Sequence, residues 1–485
     1  MNSEHFDVLI VGAGISGIGA GCHLKRRTPG KTFAILEARD AIGGTWDLFR
    51  YPGIRSDSDL HTFGYAFKPW PGEHAIAPAP EIRSYVEQTA DEYGVRDHIR
   101  FGHKVTTASW STEAARWTVN LEHQGKTVEL TCGVLFSASG YYDYAGGFTP
   151  EFPGRDDFAG TVVHPQQWPA DLDYKGKRVV VIGSGATAVT LIPAMADETA
   201  HITMLQRSPS YVVSLPAKDL VANTLRRVLP DRTAYEITRR MNISRQRLIY
   251  DLSKSRPGLV RALLRLQTRA QLPRGYPVDT HFRPRYDPWD ERLCVVPDGD
   301  LFRAIRRRQA SVVTGRIARF TERGILLESG TELEADIIVT ATGLNLLAFG
   351  GIELVVDDEP VMLRDTVAYK SMMLSGVPNF AFALGYTNSS WTLKVDLVCE
   401  HLCRMLKHMD AVGADSVTPV FDAPDIERRP LLDFQAGYVQ RSIERFPMQG
   451  SSGPWTVAMN YATDVRRLRH APVADPALRF SSAAT

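Results

Sequence analysis

The chain has 485 residues, with 56 Lys+Arg against 55 Asp+Glu and a formal net charge of +1. Hydrophobic residues make up 44% and charged residues 23%, which excludes a disordered chain, and the neutral balance excludes an electrostatic nucleic-acid binder. At ~150 residues per domain, this length points to about three domains.

In chain order, Phe6–Val11 (FDVLIV) is a continuous apolar run, the pattern of a strand buried on both faces of a parallel sheet. It enters Gly12-Ala13-Gly14-Ile15-Ser16-Gly17, after which a helical pattern runs to about Arg26. Thr32–Leu36 is predicted as the next strand, ending at Glu37. This is a βαβ unit with a GxGxxG turn at Gly12, Gly14 and Gly17. The turn presents free N–H groups to a pyrophosphate at the helix N-terminus. Glu37 stands where an acid accepts hydrogen bonds from ribose hydroxyls.

A polar, Pro- and Gly-containing stretch follows (Tyr51–Pro80), then a predicted helix (Glu81–Tyr93) and two alternating strands near Thr106–Ser111 and Arg116–Leu121. A second βαβ unit begins at Arg178–Ile182. Its turn is Gly183-Ser184-Gly185-Ala186-Thr187-Ala188, a GxGxxA variant. Its helix runs to about Ala196 and its next strand is His201–Gln206. That strand ends in Arg207-Ser208 rather than an acid, which suits the 2′-phosphate of NADP better than NAD. Two such units predict two bound dinucleotides, FAD at the first and NADPH at the second.

The segment Lys218–Arg274 holds fourteen Lys/Arg against four Asp/Glu, with leucines at helical spacing. It is predicted as a helical insertion. Two readings stay open: a lid over the active site with solvated arginines, which is favoured, and a basic amphipathic surface in peripheral membrane contact. Farther on, Asp300–Arg308 is predicted as a helix and Asp336–Thr340 as a buried strand, and the stretch Asp336–Gly343 (DIIVTATG) is expected to return the chain toward the first dinucleotide. Another helix is expected at Leu393–His408. Gln449–Asn460, rich in Gly and Ser and carrying Trp455, reads as a substrate loop or an ordinary surface loop. The five cysteines are odd in number and form no CxxC pair, which points to a reducing compartment. Neither a signal peptide nor an apolar run of transmembrane length is expected, so the location is read as cytoplasmic.

The predicted fold class is therefore α/β, with two Rossmann-like dinucleotide-binding domains and a helical insertion. The flavin domain takes residues 1–145 and 344–485. The NADPH domain takes 153–216 and 291–343, and the insertion takes 217–290.

Several stretches resemble a known family. Phe158-x-Gly160-x3-His164-x3-Trp168-Pro169 is similar to the fingerprint of Baeyer–Villiger flavin monooxygenases. Gly43-Gly44-Thr45-Trp46, Tyr51-Pro52-Gly53 and Asp57 resemble the family's second fingerprint. DLFRYPGIRSDSD, HPQQWP and DPWDERLC resemble the ethionamide-activating subgroup. The resemblance implies that NADPH reduces FAD and that a C4a-peroxyflavin formed with O2 attacks a ketone to give an ester, with S-oxygenation of thioethers or thioamides alongside. It implies an active-site arginine at Arg292 with Asp57 as its carboxylate partner. Gly44, Thr45 and Trp46 would lie at the flavin, and Ser16, Ser184, Thr187 and Ala188 would join the phosphate turns. The lysine often found before the arginine is replaced by Glu291, so NADP preference rests on Arg207 and Ser208. His164 reads as a linker residue joining the two domains. Two alternatives remain: a flavin monooxygenase acting mainly on sulfur or nitrogen, and a non-catalytic flavin-fold binder.

Overall fold

A computed structural model of the chain describes residues 3–291, 293–432 and 437–482; Arg292 lies outside the described residues. Two parallel-stranded cores carry the chain. In the first, Glu4–Val11 pairs in parallel with Phe33–Leu36 on one side and Lys126–Ser137 on the other. Val8, Leu9 and Ile10 are fully buried there, as expected of a strand covered on both faces. Beyond Lys126–Ser137 the sheet continues as an antiparallel meander through Arg116–His123 and Lys104–Ser111. The chain returns to it late, through Glu353–Val356 and Phe380–Phe382.

The second sheet is wholly parallel, in the order Ala310–Thr314, His201–Gln206, Arg178–Ile182, Ile337–Thr340, Thr161–Val163. The buried strand expected at Asp336–Thr340 is present as Ile337–Thr340. Ile337–Thr340 is an inner strand of the second sheet, and the return to the first core follows it. Leu344–Leu346 makes that return, pairing antiparallel with the outgoing linker Tyr142–Gly147. The two crossings between the cores thus brace each other.

The insertion forms helices at Leu220–Val228, Asp231–Ser255 and Pro257–Gln271. Its long helix is plugged onto the first core by Arg239, which is 7% exposed. The guanidinium donates to the carbonyls of His61, Thr62 and Gly64 at 3.2, 2.9 and 2.6 Å. These are orphan acceptors at the end of the short Leu60–Phe63 helix, so a cation is well placed there. Part of the basic excess of Lys218–Arg274 is matched by acids beyond that segment, on the first core and between residues 275 and 290. Lys218 pairs with Glu73, Arg269 with Asp279, Lys254 with Asp290 and Arg261 with Asp287.

All five cysteines are buried thiols. Trp455 is 3% exposed and packs edge-on against Phe421 and Tyr369, so Gln449–Asn460 is anchored by a buried ring. Around that anchor the loop lines a cavity of about 390 Å³ together with Tyr250, Trp289 and Asn388.

Candidate functional site

The first Gly turn opens a cleft of about 790 Å³. Gly12, Gly14, Ser16, Glu37, Gly44, Thr45, Trp46, Asp57 and Thr187 all line it. Gly14 caps the Ile15–Arg27 helix without any side-chain hydrogen bond, so the first N–H groups of the helix are left for an anion. Gly12 has φ +102, and a Cβ there would lie 2.9 Å from the Ala138 carbonyl oxygen. Gly17 does not line the cleft. A Cβ on it would lie 1.8 Å from the Gly12 carbonyl oxygen, so its place is the contact of helix with strand.

Glu37 is 7% exposed, and its carboxylate accepts from the N–H groups of Ala13 at 2.7 Å and Arg39 at 2.9 Å. Burial raises its pKa, and the two backbone donors oppose that shift. The acid therefore fixes the turn itself and still has lone pairs to offer a ribose. Ser16 accepts the indole N–H of Trp391 at 2.8 Å, leaving its own proton to donate.

Beside the cleft, Asp47 is a buried group that the sequence reading missed, on the wall of an adjoining cavity of about 820 Å³. It is 2% exposed and faces three arginines: Arg39 at 2.6 Å, Arg50 at 2.8 Å and Arg83 at 3.1 Å. Its signal was present in the stretch Gly43-Gly44-Thr45-Trp46-Asp47, but its partners are scattered over 45 residues and no spacing rule joins them.

The second turn is built alike. Gly185 caps the Ala186–Met195 helix, again with no side-chain hydrogen bond. A Cβ on Gly185 would meet nothing within 4 Å, which is the open approach a phosphate needs. Ala188 is buried beneath the turn. Gly183 donates its N–H to the Leu205 carbonyl at 2.8 Å, and Ser184 Oγ donates to the Ser208 carbonyl at 3.3 Å. These bonds bring the turn beside exposed Arg207 and Ser208. Arg207 faces Glu291. Burial raises the pKa of that carboxyl, while Tyr286 and the Arg207 charge pull it back down.

Tyr51 lines the same cleft on the side of the second turn. It is buried, hydrogen-bonded to Thr187 of the second turn, and close to the charge of Asp57. Burial first, and Asp57 after it, push its phenol up to about 12. Gly53 and Arg55 extend this seam. A Cβ on Gly53 would lie 2.6 Å from Ala194 Cβ, and Arg55 reaches Asp300 at 2.5 Å. Asp57 is exposed at the cleft. The segment before Arg292 is held from the insertion by the Lys254–Asp290 and Arg261–Asp287 pairs.

The residues present fit two dinucleotides: two uncapped helix N-termini, one acid at a ribose position and one arginine at the other. A family model described as flavin-binding monooxygenase-like matches residues 6–242. The chain is 54% identical over 480 residues to the FAD-containing monooxygenase EthA of Mycobacterium tuberculosis, covering 99% of this chain and 98% of that one. It is 47% identical over 480 residues to a probable FAD-binding monooxygenase AlmA of Acinetobacter baylyi, covering 98% and 96%. A solved oxidized steroid monooxygenase bound to NADP superposes with a TM-score of 0.76 at 24% identity, covering 99% of this chain and 100% of that one.

Proposed function

The chain belongs to the flavin-binding monooxygenase-like family, and from that premise we propose an FAD- and NADPH-dependent monooxygenase that converts ketones to esters with O2. Thioethers or thioamides are oxygenated in the same site. The observation that carries this reading is one cleft lined by Gly12 and Gly14 of the first turn, by Ala186 and Thr187 of the second, and by Asp57. Bound FAD, reduced by NADPH, supplies the redox chemistry toward O2 that no side chain here can provide.

The protein's own groups bind, aim and exclude. The uncapped N-termini after Gly14 and Gly185 hold the pyrophosphates. Glu37 orients the first ribose, and Arg207 binds the 2′-phosphate. Arg292 supplies a permanent positive charge where negative charge develops on oxygen, and Asp57 aims it. Trp46, stacked edge-on against Phe63, forms an apolar wall of the cleft. The test is product analysis with a phenyl ketone and a phenyl thioether, each followed against NADPH consumption. NADPH oxidation that yields neither ester nor sulfoxide sinks the reading.

A second observation bears on location. No helix among the described residues is long and apolar enough to cross a membrane. Yet, among the described residues, nine of the twelve exposed large hydrophobics fall within residues 220–266, among them Leu259, Leu263 and Leu266 along one stripe of the Pro257–Gln271 helix. With Arg256 exposed beside them, they support peripheral contact of a cytoplasmic enzyme with anionic lipid. Co-sedimentation with anionic but not zwitterionic vesicles, lost in Leu263→Glu, is the expected result.

A further inference from the structure

Away from both phosphate turns, the seam between the insertion and the first core buries a cluster that the proposed chemistry does not use. Asp59, His61 and Asp219 each offer one ligand atom, and these atoms lie within 4.8 Å of one another. His61 is 1% exposed and the two aspartates are 9% exposed. In two of these residues a buried polar atom, Asp59 Oδ1 and His61 Nε2, meets no hydrogen-bond partner. Orphaned polar atoms of this kind are costly in a protein interior, and two on residues of one cluster point to a shared partner.

The rest of the cluster is oriented as a ligand set is. Asp59 Oδ2 accepts from the Thr62 N–H and from Asn242 Nδ2, both at 3.1 Å. Asp219 Oδ1 accepts from the N–H groups of Val221 and Ala222 at 3.0 Å. Asp219 Oδ2 accepts from Asn242 Nδ2 at 3.1 Å. One buried amide therefore holds both carboxylates at once. Metal-ligating carboxylates are commonly fixed by outer hydrogen bonds in this way. Direct neutralisation by arginine is not what the contacts show. Arg226 spends its guanidinium on the Pro71 and Gly72 carbonyls and on Asn223, and Arg245 is exposed.

We propose that Asp59, His61 and Asp219 bind one divalent transition-metal ion, with water completing the coordination, and that the ion clips the helical insertion to the first core. One imidazole and two carboxylates suit Zn²⁺ or Mn²⁺, and the donor set lacks the thiolates of softer sites. Asp219 caps the first insertion helix, while Asp59 and His61 follow Asp57 by two and four residues. The ion thus fixes the insertion and the segment bearing Asp57 through one centre. The site is independent of which substrate the enzyme oxidises.

The experiment is elemental analysis of the purified flavin-loaded protein, then calorimetric titration of chelator-treated protein with Zn²⁺ and, separately, Mn²⁺. The expected result is one ion per chain, with the unfolding midpoint raised by the metal and lowered by chelator. X-ray absorption of the zinc-loaded protein should show a single imidazole, absent in His61→Gln. Asp219→Asn should weaken binding at least tenfold, whereas His408→Gln, remote from the cluster, should not. A wild-type protein that binds neither ion stoichiometrically overturns the proposal, whatever the variants do. So does unchanged affinity in folded Asp219→Asn, or a zinc site that keeps its imidazole in His61→Gln.

Discussion

His164 Nε2 lies 3.2 Å from the carbonyl oxygen of Gly343, at the crossing where the chain passes back from the second dinucleotide fold to the first. Nδ1 of the same ring accepts the Gln166 N–H at 3.2 Å, so Nε2 carries the hydrogen and donates. Gly343 also accepts the N–H of Phe148 on the outgoing linker at 3.0 Å. The ring rests on Gly147, where a Cβ would lie 1.9 Å from Cε1. Burial lowers the pKa of His164, which favours the neutral ring. One imidazole thus ties both linkers, and its chemistry is mechanical.

Gly147→Ala should therefore displace the ring and loosen the relation between the two folds without touching either phosphate turn. Flavin content should be retained. NADPH oxidation should become partly uncoupled, with hydrogen peroxide appearing at the expense of product. Measuring peroxide and product per NADPH checks this; full coupling in the variant would mean that the brace is dispensable.

Gly185→Ala separates cofactor binding from folding. The backbone at Gly185 has φ −80, and its Cβ position is open, so thermal stability should not change. The added methyl stands in the path of a phosphate. KM for NADPH should rise about tenfold, the equivalent of ~1.4 kcal/mol. By contrast, Gly17→Ala should fail to fold, because its Cβ overlaps the Gly12 carbonyl. Steady-state kinetics beside a melting curve distinguishes the two.

Arg207→Ala should cost about 1–3 kcal/mol of NADPH binding, roughly five- to 150-fold, with little change for NADH. Glu291→Gln should act in the opposite direction, since its carboxylate faces the same guanidinium. The ratio of kcat/KM for the two nicotinamides is the readout. Equal values in the wild type would remove the 2′-phosphate role.

Where one physical rule dominates, the sequence was readable. The βαβ units declared themselves because a doubly buried strand, a Gly turn and an uncapped helix fall within thirty residues. Lys126–Ser137 escaped because it obeys two rules in turn. Its first half is an antiparallel strand with one solvated face, while Leu135 and Phe136 are covered on both sides, so neither period persists. At the site, residues contiguous with the turns were legible from spacing. Asp47 with its three arginines, and the Ser16–Trp391 bond across 375 residues, exist only once the chain has folded.

Arg292 and Asp57 carry the last prediction. A guanidinium stays charged in any protein environment, so Arg292 can hold negative charge on oxygen at every working pH. Asp57, exposed at the cleft two residues past the Arg55–Asp300 contact, sits on a segment fixed against the second fold. Removing the charge should leave NADPH binding and hydride geometry largely intact, because these rest on Arg207 and the Gly185 turn. Arg292→Ala should therefore still consume NADPH while its ester yield falls by about 100-fold or more, the scale of losing one preorganised electrostatic donor. The missing electrons should appear as hydrogen peroxide. Asp57→Ala should show the same pattern more weakly, since the arginine remains but is poorly aimed. Thioether oxidation should survive better than ketone oxidation, because an electrophilic oxygen transfer gains nothing from added negative charge. Ester, sulfoxide and peroxide quantified per NADPH in the three proteins decide it. A normal ester yield in Arg292→Ala would move the charge to another residue.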